Sequence, residues 1–322
     1  ISAISVLALI HGRGLGPGRL VQNTLAILKV TGLVLFVALG LSLGHGAAAN
    51  LSAAGASTTA SGVLLALVPI MFCYSGWNAA AYVAEEIRDP GRNVPRALAL
   101  GTAAVTLIYL ALNVLFVYAF PVSELGGLRG GLLGGTSDRL FTFGLADWIA
   151  AFTIVSIAAS ISAMTIAGPR VYFAMARDGL FFARAARVHP RFRTPAYSIA
   201  AQALWSAVLV LSGSLSQLLS YTGFAVVLFS GVAVASLFVL RWRGRRIDRP
   251  YSTWGYPVAP ALFVLAAAVL VINEIASRPG SALTGLAIMA AGVPVYWWIR
   301  GNGAPALDTV VASETPVAAD AE

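Results

Sequence analysis

The sequence predicts an all-α integral membrane protein that crosses the bilayer several times. Apolar residues make up 58% of its 322 residues and charged residues only 11%, against about 25% charged in an ordinary soluble domain. The apolar residues are also gathered into runs close to the roughly 20 residues that a helix needs to cross a bilayer. Because backbone amides in lipid must find partners within their own segment, runs of this kind fold as helices.

Eight apolar runs follow a short apolar stretch at residues 1–10, and charged or Gly- and Pro-rich breaks separate them. All are near spanning length except the shorter run 196–213. The stretch 1–10 is interpreted as the end of an earlier helix, so we expect a transmembrane domain at 1–300 that is incomplete at its N-terminus. The segment 301–322 is rich in Ala, Val and Pro and is predicted to be a disordered tail. The predicted spans are 20–43, 62–86, 96–120, 147–175, 196–213, 217–240, 257–276 and 282–300.

The arginines predict the orientation of these spans. All but Arg129, Arg139 and Arg278 lie in the connections before the first span and after the second, fourth, sixth and eighth, or at the span ends that border them. By the positive-inside rule these Arg-rich connections and the C-terminus are cytoplasmic, in a plasma membrane or a cell inner membrane. The net charge of +8 therefore reflects topology. A nucleic-acid partner is not expected, because the basic clusters are short loops tethered to membrane spans.

Metal, cofactor and enzyme chemistry find no support in the sequence. Cys73 is the only cysteine, and no Cys/His metal spacing is present. The Gly-rich stretch 12–18 has no preceding strand and no following Lys-Ser/Thr, so it is interpreted as a turn and not as a phosphate-binding loop. Glu85 and Glu86 have no nearby nucleophile or metal ligand, and we expect them to pair with arginines.

The single lysine, Lys29, lies inside the predicted span 20–43. At about 1.5 Å rise per residue it is roughly 13 Å beyond Leu20, near mid-depth. An ammonium at that depth must meet a partner, meet water or lose its proton. The alternative is a side chain that snorkels to the membrane surface. The long distance to the surface favours a functional role.

The span 62–86 contains the strongest indication of a site. Pro69 removes a backbone donor, and Ser75 and Gly76 place two poor helix formers near mid-depth. A span interrupted in this way is typical of discontinuous transporter helices, whose unwound peptide groups line a wet cavity or meet a ligand. The alternative is a kinked helix that packs through its glycine.

The residues around this interruption resemble amino acid permeases of the amino acid–polyamine–organocation superfamily, with the L-type amino acid transporters as the closest branch. The stretches 72–78 (Phe-Cys-Tyr-Ser-Gly-Trp-Asn) and 85–97 are similar to the sixth helix and the loop after it, and 168–179 to the end of the eighth helix. Arg249-Pro-Tyr251 is similar to the stretch before the eleventh. The resemblance implies a leucine-transporter-like inverted-repeat fold. This chain would supply helices five to twelve and the end of helix four, without the first three.

The resemblance also implies a substrate site at the interruption. Backbone carbonyls there would accept hydrogen bonds from the substrate ammonium, and an aromatic residue would close over the substrate as a gate. Small and polar residues just after it would shape the pocket for the substrate side chain. The residues implied, with Phe72 as the gate, are Phe72, Cys73, Ser75, Gly76 and Asn78.

A second implied role concerns Lys29, which corresponds to a family position where an ammonium stands in place of the sodium ion of sodium-coupled members. Ser160 matches a serine near that lysine. The alternative for Ser160 is a hydrogen bond back to its own helix. Two roles for Lys29 stay open, a proton carrier and a fixed charge.

The predicted function is sodium-independent secondary transport of neutral L-amino acids by alternating access, as an exchanger or as a proton symporter. The absence of an acidic residue within 69–80 favours a neutral substrate. The expected partners are the amino acid, the lipid bilayer and, for a symporter, protons. The alternative is a truncated product that does not transport, or a membrane scaffold or accessory subunit. Three upstream spans in the same reading frame, one with a Gly-Ser-Gly-like break, would favour the transporter.

Overall fold

The computed structural model describes residues 1–52, 59–128, 131–141, 144–212, 215–243, 251–253 and 255–301, and the regular structure in these residues is entirely helical. The predicted all-α class is confirmed. The α-helices of these residues are α1 (Ser2–Gly12), α2 (Leu15–Leu43), α3 (Ala60–Cys73), α4 (Ala79–Tyr82), α5 (Pro90–Ala119), α6 (Val122–Leu125), α7 (Leu132–Leu140), α8 (Ala146–Arg177), α9 (Ala196–Ser212), α10 (Leu215–Arg243), α11 (Val258–Ser277), α12 (Pro279–Ala290) and α13 (Gly292–Gly301). Short 3₁₀ segments lie at Ala48–Ser52, Ala84–Glu86 and Ala183–Ala186.

Six helical stretches in the described residues are long and apolar enough to cross a membrane. They are α2, α5, α8, α10, α11 and the stretch Pro279–Ile299 that combines α12 with most of α13. The two other predicted spans appear as the shorter helices α9, of 17 residues, and α3, of 14. The predicted tail lies outside the described residues from position 302 onward. The protein is therefore a multi-pass membrane protein.

The surface of the long helices is apolar, as lipid requires. Leu107 of α5 and Ile154 of α8 are more than half exposed, and so are Leu211 of α9 and Trp297 of α13. In water such a surface would be a large aggregation-prone patch. In a bilayer these side chains meet hydrocarbon.

The chain divides into two compact units, of which one comprises residues 16–63 and 84–164. Its core is formed by buried side chains of α2, α5 and α7 and of the residues just beyond α5 and α7. Gly40 brings α2 close to α5, because a Cβ at that position would lie 2.6 Å from a methyl carbon of Leu115. The buried core residues are Phe36, Leu112, Leu115, Ala119, Phe120, Leu140 and Phe141.

The other unit comprises residues 1–15, 64–83 and 165 onward. Val68 of α3 packs with Val227 of α10 and with Ala267 and Leu270 of α11 in a buried cluster. The backbones of α10 and α11 approach closely at Gly231, where a Cβ would lie 2.9 Å from the Ala267 Cβ. The helical segment that precedes the interruption is thus held against two long helices.

Candidate functional site

The helix predicted at 62–86 is interrupted. Helix α3 ends at Cys73, the chain turns through residues 74–78, and α4 begins at Ala79. The Tyr74 amide still donates to the Ile70 carbonyl, at 3.1 Å, as in an α-helix. The next amide, of Ser75, donates instead to the Phe72 carbonyl at 3.0 Å, three residues back. A stretch of five non-helical residues is more than a kink.

Past the interruption the turns are tight. The amide of Ala79 donates to the Gly76 carbonyl at 3.0 Å, and that of Ala81 to the Asn78 carbonyl at 3.0 Å. Both bonds span three residues, so the regular spacing of four returns only with the Tyr82 amide and the Asn78 carbonyl, at 3.3 Å. The interruption therefore lies after Pro69, which is itself inside α3.

Gly76 has a backbone conformation that only glycine adopts readily. Its φ is +105°, a region from which the Cβ of an L-residue is largely excluded. A Cβ built on Gly76 meets nothing within 4 Å. The requirement for glycine is thus set by the backbone and not by a close neighbour.

The predicted substrate-binding residues differ in exposure. Cys73 and Ser75 are exposed, whereas Phe72, Gly76 and Asn78 are half-buried. The last turn of α3 carries the partial negative charge of a helix C-terminus, which suits an ammonium group. The open side of the interruption therefore presents a thiol, a hydroxyl and peptide groups.

Asn78 has a partner that sequence reasoning did not identify. Its side-chain amide donates to the hydroxyl of Tyr82, one turn further on in α4. This hydrogen bond fixes the orientation of the Asn78 amide. The spacing of four residues between an Asn and a Tyr was the available signal in the sequence.

Lys29 and Ser160 are brought together in the first unit described above. Lys29 is the central residue of α2, and its Nζ donates to the Ser160 Oγ of α8 at 3.1 Å. The Ser160 hydroxyl in turn donates to the Ser156 carbonyl at 3.2 Å. The two alternatives for Ser160 thus occur together, because its oxygen accepts from the lysine while its proton is directed to its own helix.

A close contact between α2 and α8 lies one turn from Lys29. A Cβ on Gly32 would lie 2.1 Å from a ring carbon of Phe152, so any other residue at this position would force the ring to move. Gly32 follows Lys29 by three residues, and Phe152 precedes Ser160 by eight, so each pair shares a helix face. Sequence reasoning did not identify Gly32 or Phe152.

The seven predicted site residues therefore form two groups. Five lie within 72–78 of one unit, and Lys29 with Ser160 lies in the other. Each group has a defined local geometry. That the two groups act on one substrate site stays a prediction.

A family model described as amino acid permease matches residues 1–299, which is nearly the whole chain. This chain is an amino acid permease by family. The predicted membership of the amino acid–polyamine–organocation superfamily is thereby confirmed. The family consists of transporters, so the prediction that the protein is not an enzyme is confirmed as well.

Named relatives agree with the family match. The large neutral amino acids transporter small subunit 2 of Mus musculus is 33% identical over 237 residues, which is 73% of this chain and 44% of the relative. The serine/threonine exchanger of Bacillus subtilis is 28% identical, over 93% of this chain and 68% of the relative. The human cystine/glutamate transporter is 28% identical, over 91% and 58%. The permease thus spans less than half the length of the mouse relative.

Proposed function

We propose that the protein carries neutral L-amino acids across the membrane by alternating access, without sodium, as an exchanger or as a proton symporter. The observation that carries this proposal is the interruption of the predicted span 62–86 between α3 and α4, around Gly76 with φ +105°. Peptide groups released from a helix within a membrane are tolerated only where they line a cavity or meet a ligand. Discontinuous helices of this kind form the substrate sites of secondary transporters.

A neutral substrate is supported by the charge of the interruption. Residues 69–80 include no acidic or basic side chain, so a charged substrate side chain would find no counterion in this stretch. Two of the relatives are named for large neutral amino acids and for serine and threonine. A third is named for cystine and glutamate, so the family alone does not decide the substrate.

Independence of sodium is supported by the Lys29 contact. The ammonium donates to Ser160 Oγ, an oxygen of the type that would otherwise be free to ligate a sodium ion. A bound cation and a lysine ammonium cannot occupy one place. We therefore assign Lys29 and Ser160 to coupling, with the ammonium either as a fixed charge or as a proton carrier.

Orientation is part of the same proposal. The Arg-rich connections after α8 and α10 and the C-terminus would lie in the cytoplasm, and the membrane would be a plasma membrane or a cell inner membrane. The permease domain would extend over 1–300, followed by the tail at 301–322. Reporter fusions after Ser212 and after Arg243 would give opposite sides of the membrane.

The test is uptake by the purified protein in proteoliposomes. Radiolabelled leucine and serine are supplied outside, with or without unlabelled amino acid inside, with or without a pH gradient, and in sodium or choline buffer. We expect uptake that does not change with sodium and that requires either the internal amino acid or the gradient. Labelled lysine and glutamate are the matched controls for charge. A protein that binds neutral amino acids but moves none would favour the accessory-subunit alternative.

The only cysteine allows a direct test of the site. Cys73 is exposed at the end of α3, so a small maleimide should label it, and Cys73→Ser should abolish the label. We expect leucine or serine to slow the labelling by about tenfold at saturation, because a substrate on the adjacent peptide groups covers the thiol. Labelling that is unaffected by every neutral amino acid would place the substrate elsewhere.

The gate assigned to Phe72 gives a further expected result. Phe72→Ala should weaken substrate affinity by about tenfold, since a half-buried aromatic side chain contributes 1–2 kcal/mol when it covers a ligand. The measurement is the concentration of leucine that protects Cys73 from labelling. Ile70→Ala is the matched control, because Ile70 is 47% exposed on the same helix and should leave affinity unchanged. Equal affinity in Phe72→Ala and the native protein would discard the gate.

A further inference from the structure

The contact between α2 and α8 contains a hydroxyl that the proposed function does not use. The Ser156 Oγ is buried, and among the described residues it has no hydrogen-bond partner. Leaving a polar atom buried in this way costs free energy of about the size of a hydrogen bond. Serine in a membrane helix usually avoids the cost by bonding to the carbonyl four residues back. Ser160 does so and Ser156 does not.

Ser156 lies between the two contacts that α8 makes with α2. Phe152, Ser156 and Ser160 follow one another at intervals of four residues and so lie on one face of α8. Phe152 is the residue against Gly32, and Ser160 accepts the hydrogen bond from Lys29. The face of α8 that carries Ser156 is therefore the face directed at α2.

The Lys29 ammonium has hydrogen atoms to spare. An ammonium carries three N–H donors, and among the described residues the hydrogen bond of Lys29 is the one to Ser160. Side chains one helical turn apart have Cβ atoms about 5–6 Å from each other. A lysine stem with four rotatable bonds covers such a distance by changing rotamer.

We propose that Ser156 is a second acceptor for the Lys29 ammonium, which moves between Ser160 and Ser156. Ser156 is thus a positioning residue for the coupling lysine. This inference rests on the proposed function for its role in transport. A two-position ammonium lets α2 shift by about one turn along α8, roughly 5 Å, while the charge stays hydrogen-bonded. Without Ser156 the ammonium would lose its partner at one end of that movement.

The test follows the only lysine of the chain by magnetic resonance. The complete chain is isotope-labelled at the lysine side-chain nitrogen, so that it gives one side-chain signal, and Lys29→Arg removes that signal. We expect Ser160→Ala to move the signal but to keep its protons slowly exchanging with water, because Ser156 takes over as acceptor. Adding Ser156→Ala should raise the exchange rate about tenfold, the effect of losing one hydrogen bond to a charged group. If the double alanine variant does not fold, Ser156→Cys replaces Ser156→Ala, because the thiol has a similar volume but is only a weak acceptor.

A control on the same helix separates this inference from a general loss of packing. The Thr153 hydroxyl donates to the Ile149 carbonyl at 2.7 Å, so Thr153→Ala combined with Ser160→Ala should exchange no faster than Ser160→Ala alone. Equal exchange in Ser160→Ala with and without Ser156→Ala would overturn the inference. The signal is read whether or not the protein transports, so a failure of the proposed function leaves this test intact. If the protein transports, the uptake losses of Ser156→Ala and Ser160→Ala should combine to more than their product.

Discussion

Lys29→Ala should reduce amino acid uptake to background while the protein remains folded. Lys29 is the central residue of α2, and its ammonium donates a hydrogen bond to Ser160 of α8. Removal leaves the Ser160 oxygen without its donor at a place where the proposed mechanism requires a cation. We expect a loss of at least about a hundredfold, equivalent to roughly 2.7 kcal/mol. Proteoliposome uptake of leucine and serine is the measurement.

Two variants distinguish a coupling role from a structural one. Lys29→Met keeps most of the stem but removes the charge, and it should be as inactive as Lys29→Ala. Because an intramembrane charge is costly to bury, the melting temperature of Lys29→Met should equal or exceed that of the native protein. Uptake at the native rate by either variant would remove the coupling role. A large fall in melting temperature would point instead to a structural ammonium.

Gly76→Ala should lower both the melting temperature and uptake. The new Cβ meets no neighbour within 4 Å, so the cost comes entirely from the backbone, whose φ of +105° an alanine adopts only under strain of about 1–3 kcal/mol. The chain can relieve that strain by closing the interruption into a continuous helix. We therefore expect uptake to fall by about tenfold or more, with a measurable loss of stability.

Gly101→Ala is the matched control for this prediction. Gly101 lies inside α5, and a Cβ there also meets nothing within 4 Å. Its φ is not in the positive range, so alanine should stabilise the helix by about 0.5–1 kcal/mol. Gly76→Ala and Gly101→Ala thus both add a Cβ without a close neighbour, and they differ in the backbone conformation of the glycine they replace. Equal melting temperatures and equal uptake in the two variants would contradict the role given to Gly76.

The fold was predictable because the bilayer imposes one rule on all its spans. Long apolar runs must be helices, and the ends of five of them lie within six residues of their predicted limits. These are α2, α5, α8, α10 and α11. The interruption of the predicted span 62–86 was predictable for a related reason, since Ser75 and Gly76 place two poor helix formers next to each other near mid-depth. Its backbone geometry was not, because the turn depends on a glycine dihedral angle that composition does not encode.

The candidate site was predictable where one residue type dominates the energetics. A lone ammonium in a membrane helix requires a partner, so Lys29 was identified from composition and depth. Gly32 and Phe152 were not identified, because a glycine or phenylalanine is common in any membrane helix and only the approach of α2 to α8 gives them meaning. Ser156 was missed for the same reason, as its buried oxygen is visible only after both helices are in place.

The dihedral angle at Gly76 also bears on how this protein can change over evolutionary time. Every single-base change in a glycine codon that alters the amino acid introduces a chiral residue, and each would bring a Cβ into a conformation that disfavours it. No neighbouring side chain crowds this position. A second replacement nearby therefore cannot relieve the strain, because the strain comes from the backbone and not from a steric clash. Among orthologues that keep the same turn, this codon should show synonymous drift and almost no replacement, even where the exposed positions beside it vary freely.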